Sequence, residues 1–250
     1  MISRGFVIWT ATIIFCLTGA GCEVIDVWRP PTPLENEYQK GLIIFYPGSA
    51  NLHSEGIAFY FAFRDLGIDL AFEEMRWTDY LEHFFTEDHA QPKINDNARI
   101  EADRLTAYMR AHPESPVTMI TYSGGAVFAL RVAALLPEDT PVDRIIITSA
   151  GIWRGTDLAP AIAHTRLGIV NYWSPRELGP IIISRTLGLA DGTFLEPAAT
   201  FGFDQSHEKL TQIMWTPEMI AYGNNGEHLD FIINVPWLKQ YIAPWVVLSR

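Results

Sequence analysis

Four short, continuously apolar segments alternate with helical patterns in this chain, and this alternation constrains the fold more than any other feature. The segments span residues 41–46, 117–121, 144–148 and 167–173. Strands that are buried on both faces of a parallel sheet have this continuous apolar composition. Helical patterns cover residues 95–112 and 126–136, and the second is apolar on nearly all sides. Alternating strands and helices predict an α/β protein with a mostly parallel central sheet and helices on both faces.

The composition allows one domain with a substantial core. The chain has 250 residues, of which 48% are hydrophobic and 19% charged. Its 29 acidic residues outnumber the 18 basic residues, and the formal net charge is −11. A chain of this charge repels polyanions at long range, so the composition argues against nucleic-acid binding.

The first 22 residues have the layout of an export signal. Arg4 precedes an apolar stretch from Phe6 to Leu17, and small residues occupy positions 19–21. The apolar stretch is short for a membrane span, which predicts a secretory signal peptide over residues 1–22. Cys22 follows the small residues, and the segment resembles a bacterial lipoprotein signal, although Gly19 stands where that pattern prefers leucine. The resemblance implies an exported lipoprotein that is membrane-anchored through a lipid on Cys22 and faces the periplasm or the cell exterior.

Two other interpretations of this segment stay open, namely an uncleaved anchor and cleavage without lipidation. The other cysteine, Cys16, lies inside the signal, so the mature chain would contain no disulfide and no thiol nucleophile. A cysteine mechanism is therefore excluded. Residues 23–40, which contain three prolines, predict a tether, and residues 41–250 form the predicted folded domain.

A serine lies where a predicted strand turns into a predicted helix. Tyr122-Ser123-Gly124-Gly125 connects the strand 117–121 to the helix 126–136. On such a turn the serine is held at a helix N-terminus, where N–H groups and the helix dipole favour a developing negative charge. The tight turn needs small residues two positions before and after the serine, and Gly125 meets this need whereas Thr121 departs from it. The pattern predicts Ser123 as a nucleophile, with a purely structural turn as the alternative.

At these residues the chain resembles the α/β-hydrolase superfamily, over about residues 41–248. The resemblance implies a serine, an acid and a histidine in that order along the chain. Asn225-Gly226-Glu227-His228 matches the position of the histidine, after a last strand expected within residues 212–222 and before a final helix expected over residues 229–248. His228 is therefore the expected general base.

The acid is expected shortly after the strand 167–173. Glu177 occupies that position, and Asp191, in an Asp-Gly pair typical of turns, is the alternative. The acid would accept the second imidazole N–H and fix the orientation of the ring. The two N–H groups that the resemblance implies for the oxyanion hole belong to Gly124 and to Ser49, which lies in the loop after the first strand.

Together, the resemblance and these motifs imply a serine hydrolase that cleaves a small-molecule acyl ester, most simply a carboxylic ester, through an acyl-enzyme. The connection between residues 148 and 167 is too short for a large lid domain, and apolar residues between 175 and 227 favour a neutral, apolar acyl group. Without a metal-binding or nucleotide-binding motif, neither a metal nor a cofactor is expected. A membrane-anchored binding or scaffold protein on the same fold is one alternative, and an acyltransferase is another. The sequence leaves the oligomeric state open.

Overall fold

The computed structural model of the chain describes residues 29–50, 54–78 and 87–249. The predicted signal peptide and Cys22 lie outside these residues, so export and lipid anchoring stay predictions. Within the described residues, no helix combines the length and the apolar character that a membrane crossing requires.

Six strands form one parallel sheet in the described part of the chain. They are β1 (Leu42–Tyr46), β2 (Ala71–Glu74), β3 (Val117–Tyr122), β4 (Arg144–Thr148), β5 (Ile169–Trp173) and β6 (Leu210–Met214). All neighbouring strands are parallel, in the order β2-β1-β3-β4-β5-β6. The prediction of a mostly parallel sheet is confirmed, and the four predicted strands agree with the observed bounds to within two residues.

Short and long helices connect the strands. They are α1 (Glu35–Tyr38), α2 (Ile57–Asp65), α3 (Glu87–Ala111), α4 (Gly125–Leu135), α5 (Ala159–Ala163), α6 (Gly179–Thr186), α7 (Ala198–Phe201), α8 (Asp230–Ile233) and α9 (Val235–Trp237), with 3-10 turns at Pro217–Tyr222 and Ala243–Trp245 and a π-helical turn at Leu238–Ile242. The β4–β5 connection holds the short α5, and no inserted lid domain occurs among the described residues.

Successive residues of the central strands enter two separate cores. In β1, Leu42, Ile44 and Tyr46 join one core, whereas Ile43 and Phe45 join the other. Helices α3, α4 and α5 cover the first core, and α2 with the C-terminal helices covers the second. Because both faces of the sheet are covered, the strands need no polar side, and they therefore appear in the sequence as continuous apolar segments.

The direction of winding reverses at β1. The chain passes from β1 to β2 on one side and then crosses back to β3 on the other. Helices α2 and α3 lie on opposite faces, as right-handed crossovers in opposite directions require. At such a point the loops after the two strands separate and leave a crevice at the carboxyl edge of the sheet. Ser49 follows β1 and Ser123 follows β3, so both border this crevice.

Two predictions about the C-terminal part were wrong. The last strand ends at Met214 instead of extending through residues 212–222, because Pro217 has no N–H for a ladder and begins a 3-10 turn. The single helix predicted over residues 229–248 is a series of short helical turns. Pro236 and Pro244 interrupt it, since proline cannot donate to a preceding helical carbonyl.

Part of the predicted tether contacts the domain. The Tyr38 hydroxyl donates to Glu73 Oε1 at 2.7 Å, and Arg64 donates to Glu37 Oε1 at 2.6 Å. Residues 29–33 and 72–76 line a common cavity of about 440 Å³. The segment that precedes β1 therefore runs along the edge strand β2, and residues 29–33 lie beside the carboxyl end of that strand.

A buried charge network lies behind this edge. Glu101 is fully buried and accepts hydrogen bonds from Arg104 at 2.7 and 2.9 Å and from the Tyr46 hydroxyl at 3.0 Å. Arg104 also pairs with Glu73 at 2.8 Å. Removing the cation would leave the charge of Glu101 buried and poorly compensated, which costs far more than breaking a surface ion pair.

We expect Arg104→Ala to lower the free energy of unfolding by about 3 kcal/mol, because it removes the cation that faces a buried carboxylate. The matched control is Arg99→Ala on the same helix, since Arg99 pairs with Asp96 in an exposed i,i+3 ion pair. That variant should lose less than about 0.5 kcal/mol. Urea unfolding followed by tryptophan fluorescence measures both, and equal losses would contradict a stabilising role for the buried network.

Candidate active site

Ser123 lies on the turn between β3 and α4 in a left-handed backbone conformation, with φ of +50°. Its N–H donates to Thr148 O at 3.1 Å, and its carbonyl accepts from Gly151 N–H at 2.9 Å, so the end of β4 and the residues after it hold the turn. A side chain at Gly125 would overlap the carbonyl oxygens of Tyr46 and Pro47 and stand 2.8 Å from Thr121 Oγ1. The absence of a side chain at Gly125 thus makes room both for the loop after β1 and for Thr121, which is larger than the small residue that the turn favours.

His228 lies beside this serine. Its Nε2 is 3.0 Å from Ser123 Oγ, and its ring packs on the Tyr122 ring with the centroids 4.9 Å apart. The loop that carries the histidine is held by Asp230, whose Oδ2 accepts the N–H groups of Asn225 at 2.9 Å and of Glu227 at 3.2 Å. The histidine is 7% exposed, so its ring is fixed in a largely water-free position.

Glu177 meets the opposite side of the imidazole. Its Oε2 is 2.6 Å from His228 Nδ1, and the residue is fully buried. Burial raises the pKa of Glu177, and the hydrogen bonds from His228 and Ser149 oppose that rise. The structure therefore brings Ser123, His228 and Glu177 into one hydrogen-bonded row at the carboxyl edge of the sheet.

Asp191 lies in a turn of its own. Its Oδ2 accepts the N–H of Trp153 at 2.8 Å, and its Oδ1 accepts the N–H and the hydroxyl of Thr193 at 3.1 and 2.8 Å. These contacts are those of an aspartate that stabilises a loop, as its Asp-Gly sequence indicates.

Sequence reasoning missed Ser149, which contacts two of these side chains. Its Oγ lies 2.5 Å from Glu177 Oε2 and 2.5 Å from His228 Nδ1. The available signal was its position as the first residue after β4, since residues that directly follow parallel strands meet at one edge of the sheet.

The two residues predicted for the oxyanion hole lie next to each other. The hydroxyl of Ser49 occupies the space that a side chain at Gly124 would need. A Cβ at Gly151 would lie 3.0 Å from both Gly124 N and Ser123 Oγ. Gly151 therefore borders the space that the N–H of Gly124 and the hydroxyl of Ser123 share, and it is a second residue that the sequence analysis missed.

A glutamate supports the loop that carries Ser49. Oε2 of Glu55 accepts the N–H of Gly48 at 2.5 Å. Burial raises the pKa of Glu55 to about 7, and the hydrogen bond from Gly48 limits the rise. A carboxyl group thus titrates near neutral pH beside the loop that borders the crevice.

The described residues contain no group of three or more histidine, cysteine, aspartate or glutamate side chains that could hold a metal ion. The groups that the structure brings together at this edge of the sheet are hydroxyls, an imidazole, a carboxyl group and backbone N–H groups.

No protein-family model matches the chain, and no curated protein matches it. Among solved structures, a lipase-esterase related protein from Clostridium acetobutylicum is 13% identical, with a TM-score of 0.47, over 83% of this chain and 96% of that one. Esterase PE8 is 17% identical, with a TM-score of 0.44, over 76% of this chain and 85% of that one. Aspergillus fumigatus lipase B is 12% identical, with a TM-score of 0.48, over 84% of this chain and 53% of that one.

The fold can be assigned from the chain itself, because its parallel strand order, its covering helices and the sharp strand-to-helix turn at Ser123 are those of the α/β-hydrolase fold.

The raised pKa of Glu55 predicts a pH-dependent stability. Between about pH 4.5 and 7 the folded protein keeps a proton on Glu55 that the unfolded chain has lost, so this residue's contribution to stability declines as the pH rises through that window. Glu55→Gln stays neutral and should remove that part of the decline, on the order of 2 kcal/mol. Urea unfolding at pH 4.5, 6 and 8 measures it, with the exposed Glu138→Gln as control. Parallel curves for wild type and Glu55→Gln would contradict the prediction.

Proposed function

We propose that this protein is a serine hydrolase that cleaves an acyl bond, most simply a carboxylic ester of a small molecule. One observation carries the proposal, namely that His228 lies between Ser123 Oγ at 3.0 Å and Glu177 Oε2 at 2.6 Å. A nucleophile, a base and a group that orients the base in such a row are the requirements of covalent acyl transfer.

In this proposal Ser123 Oγ attacks the acyl carbonyl while Nε2 of His228 takes the serine proton. Glu177 accepts the Nδ1–H bond throughout and stabilises the imidazolium that forms. The N–H groups of Gly124 and Ser49 bind the oxygen of the tetrahedral intermediate. The imidazolium then protonates the leaving alcohol. Water next attacks the acyl group while His228 takes a proton from it, and the imidazolium returns this proton to Ser123 Oγ as the carboxylic acid leaves.

The surroundings of the site favour an apolar acyl group. Glu177 and the turn at Asp191 flank a stretch of chain with exposed apolar side chains, among them Leu178, Ile182 and Leu187. Large apolar side chains left exposed beside a candidate site are the kind of surface that an apolar ligand covers. They support a neutral substrate with a hydrocarbon portion.

We expect a fluorophosphonate probe to label the wild-type protein and not Ser123→Ala, because the probe reacts only with an activated serine. Ser206→Ala is the control, since Ser206 is exposed and lies outside the row. A folded wild type that resists the probe, as judged by circular dichroism, would refute the hydrolase proposal and favour the binding or scaffold protein.

The same assay separates the two candidate acids. Glu177→Gln should slow labelling by roughly 10³- to 10⁴-fold, because an amide no longer stabilises the imidazolium or fixes its tautomer. Asp191→Asn should slow labelling less than about tenfold, because Asp191 supports a loop. The reverse ranking would assign the acid to Asp191.

Gly151→Ala tests the shared space over Ser123 and Gly124. Position 151 has no positive φ, so alanine is compatible with its backbone, but the added Cβ would stand 3.0 Å from both atoms. We expect labelling to slow by at least about tenfold, because the oxyanion can no longer approach the Gly124 N–H. Gly179→Ala is the control, because a Cβ there meets no atom within 4 Å. Wild-type labelling of a folded Gly151→Ala protein would place the oxyanion elsewhere.

A further inference from the structure

Ser149 occupies a position at the end of β4 that matches the position of Ser123 at the end of β3. Each is the residue at which its strand leaves the sheet, and each has a positive φ, +57° for Ser149 and +50° for Ser123. The Ser149 N–H donates to Tyr172 O on β5 at 2.9 Å, which continues the ladder of the sheet by one bond. The side chain is fully buried, so it faces neither solvent nor the crevice.

The Ser149 hydroxyl completes a triangle with the acid and the histidine. Its Oγ is 2.5 Å from Glu177 Oε2 and 2.5 Å from His228 Nδ1, while these two atoms are 2.6 Å apart. A carboxylate has no proton to donate, so the single hydroxyl proton goes to Glu177. A lone pair of Oγ then faces the Nδ1–H of His228, which is shared between the carboxylate and the hydroxyl.

Few donors stabilise the charge on Glu177. Its Oε2 has the two partners just described, and its Oε1 has none among the described residues. A hydrogen bond to an ionised group is stronger than one between neutral groups. Burial and the nearby charge of Glu227 work against the ionised form of Glu177, whereas His228 and, to a smaller extent, the hydrogen bond from Ser149 favour it.

We propose that Ser149 is a positioning residue that keeps Glu177 ionised and directed at Nδ1 of His228. This inference rests on the proposed function, because it assigns Ser149 a role in the same row. An ionised Glu177 is the form that stabilises the imidazolium produced when Ser123 attacks. Ser149 therefore acts on the reaction through the acid and never touches the substrate.

The test is the pH profile of kcat/KM for a short-chain aryl ester, measured on the full-length protein with Ser149→Ala and Ser149→Gly. Losing the hydroxyl should disfavour ionised Glu177, so the acid limb, which reports the coupled protonation of Glu177 and His228, should move to higher pH by about one to two units. The loss of activity should appear in kcat and leave KM within about twofold. Glycine adopts a positive φ without strain, whereas alanine does not. A shift of the acid limb that both variants share therefore comes from the loss of the hydroxyl and not from backbone strain.

Thr200→Val is the matched control. Thr200 is also buried, and its hydroxyl donates at 2.8 Å to the backbone carbonyl of Glu177 instead of the carboxyl group. It should cost comparable stability and leave the acid limb in place. An acid limb that stays at the wild-type pH in both Ser149 variants, or that moves equally in Thr200→Val, would overturn the inference.

A second readout separates this inference from the proposed function. The proton on His228 Nδ1, held in a short bond to Glu177, should give a downfield NMR resonance whose pH titration reports the coupled protonation of the imidazole and the acid. Ser149→Ala should move that titration to higher pH even if the wild type hydrolyses no ester and resists the fluorophosphonate probe. An unchanged titration would refute the role of Ser149 whether or not the protein is a hydrolase.

Discussion

The parallel pairing of the strands is the constraint on which the site depends. Five consecutive strands in the sheet, β1, β3, β4, β5 and β6, end at the same edge. The first residues after them include Ser49, Ser123, Ser149 and Glu177, and His228 follows β6 after a longer loop. Residues separated by up to 179 positions in the chain, from Ser49 to His228, thereby reach one small volume. An antiparallel arrangement would send every second loop to the opposite edge.

The same pairing holds the strained backbone at this edge. Ser123 and Ser149 both have positive φ, which is uncommon for a residue with a side chain. Each nonetheless donates its N–H to the neighbouring strand, Ser123 to Thr148 O and Ser149 to Tyr172 O. A strained backbone conformation persists where the surrounding structure holds it in place. Here the hydrogen bonds to the neighbouring strands hold both serines in place. Both hydroxyl groups are consequently presented in fixed directions.

The sequence predicted the central sheet well because its strands are covered on both faces. It missed β2 (Ala71–Glu74), an edge strand of four residues that ends in two glutamates and lacks a continuous apolar run. The three side chains singled out as Ser123, His228 and Glu177 do lie within hydrogen-bond distance of one another in a row. The choice between Glu177 and Asp191 was open because both follow β5 in the sequence. Their positions along the chain do not determine which carboxyl group faces His228. The one signal for Ser149 was its position directly after β4, and the sequence does not show that Glu177 and His228 reach the same place.

The entry of the chain along the β2 edge has a consequence for where such an enzyme would work. Residues 29–33 lie beside the carboxyl end of β2. Ser123 also lies at the carboxyl ends of the strands. With Cys22 lipidated as the sequence predicts, the seven residue steps from Cys22 to Arg29 would span at most roughly 25 Å. So short a connection would keep the folded domain close to the bilayer surface. The search for substrate would then be confined to a thin layer above the membrane, where apolar esters are concentrated and water-soluble ones are not.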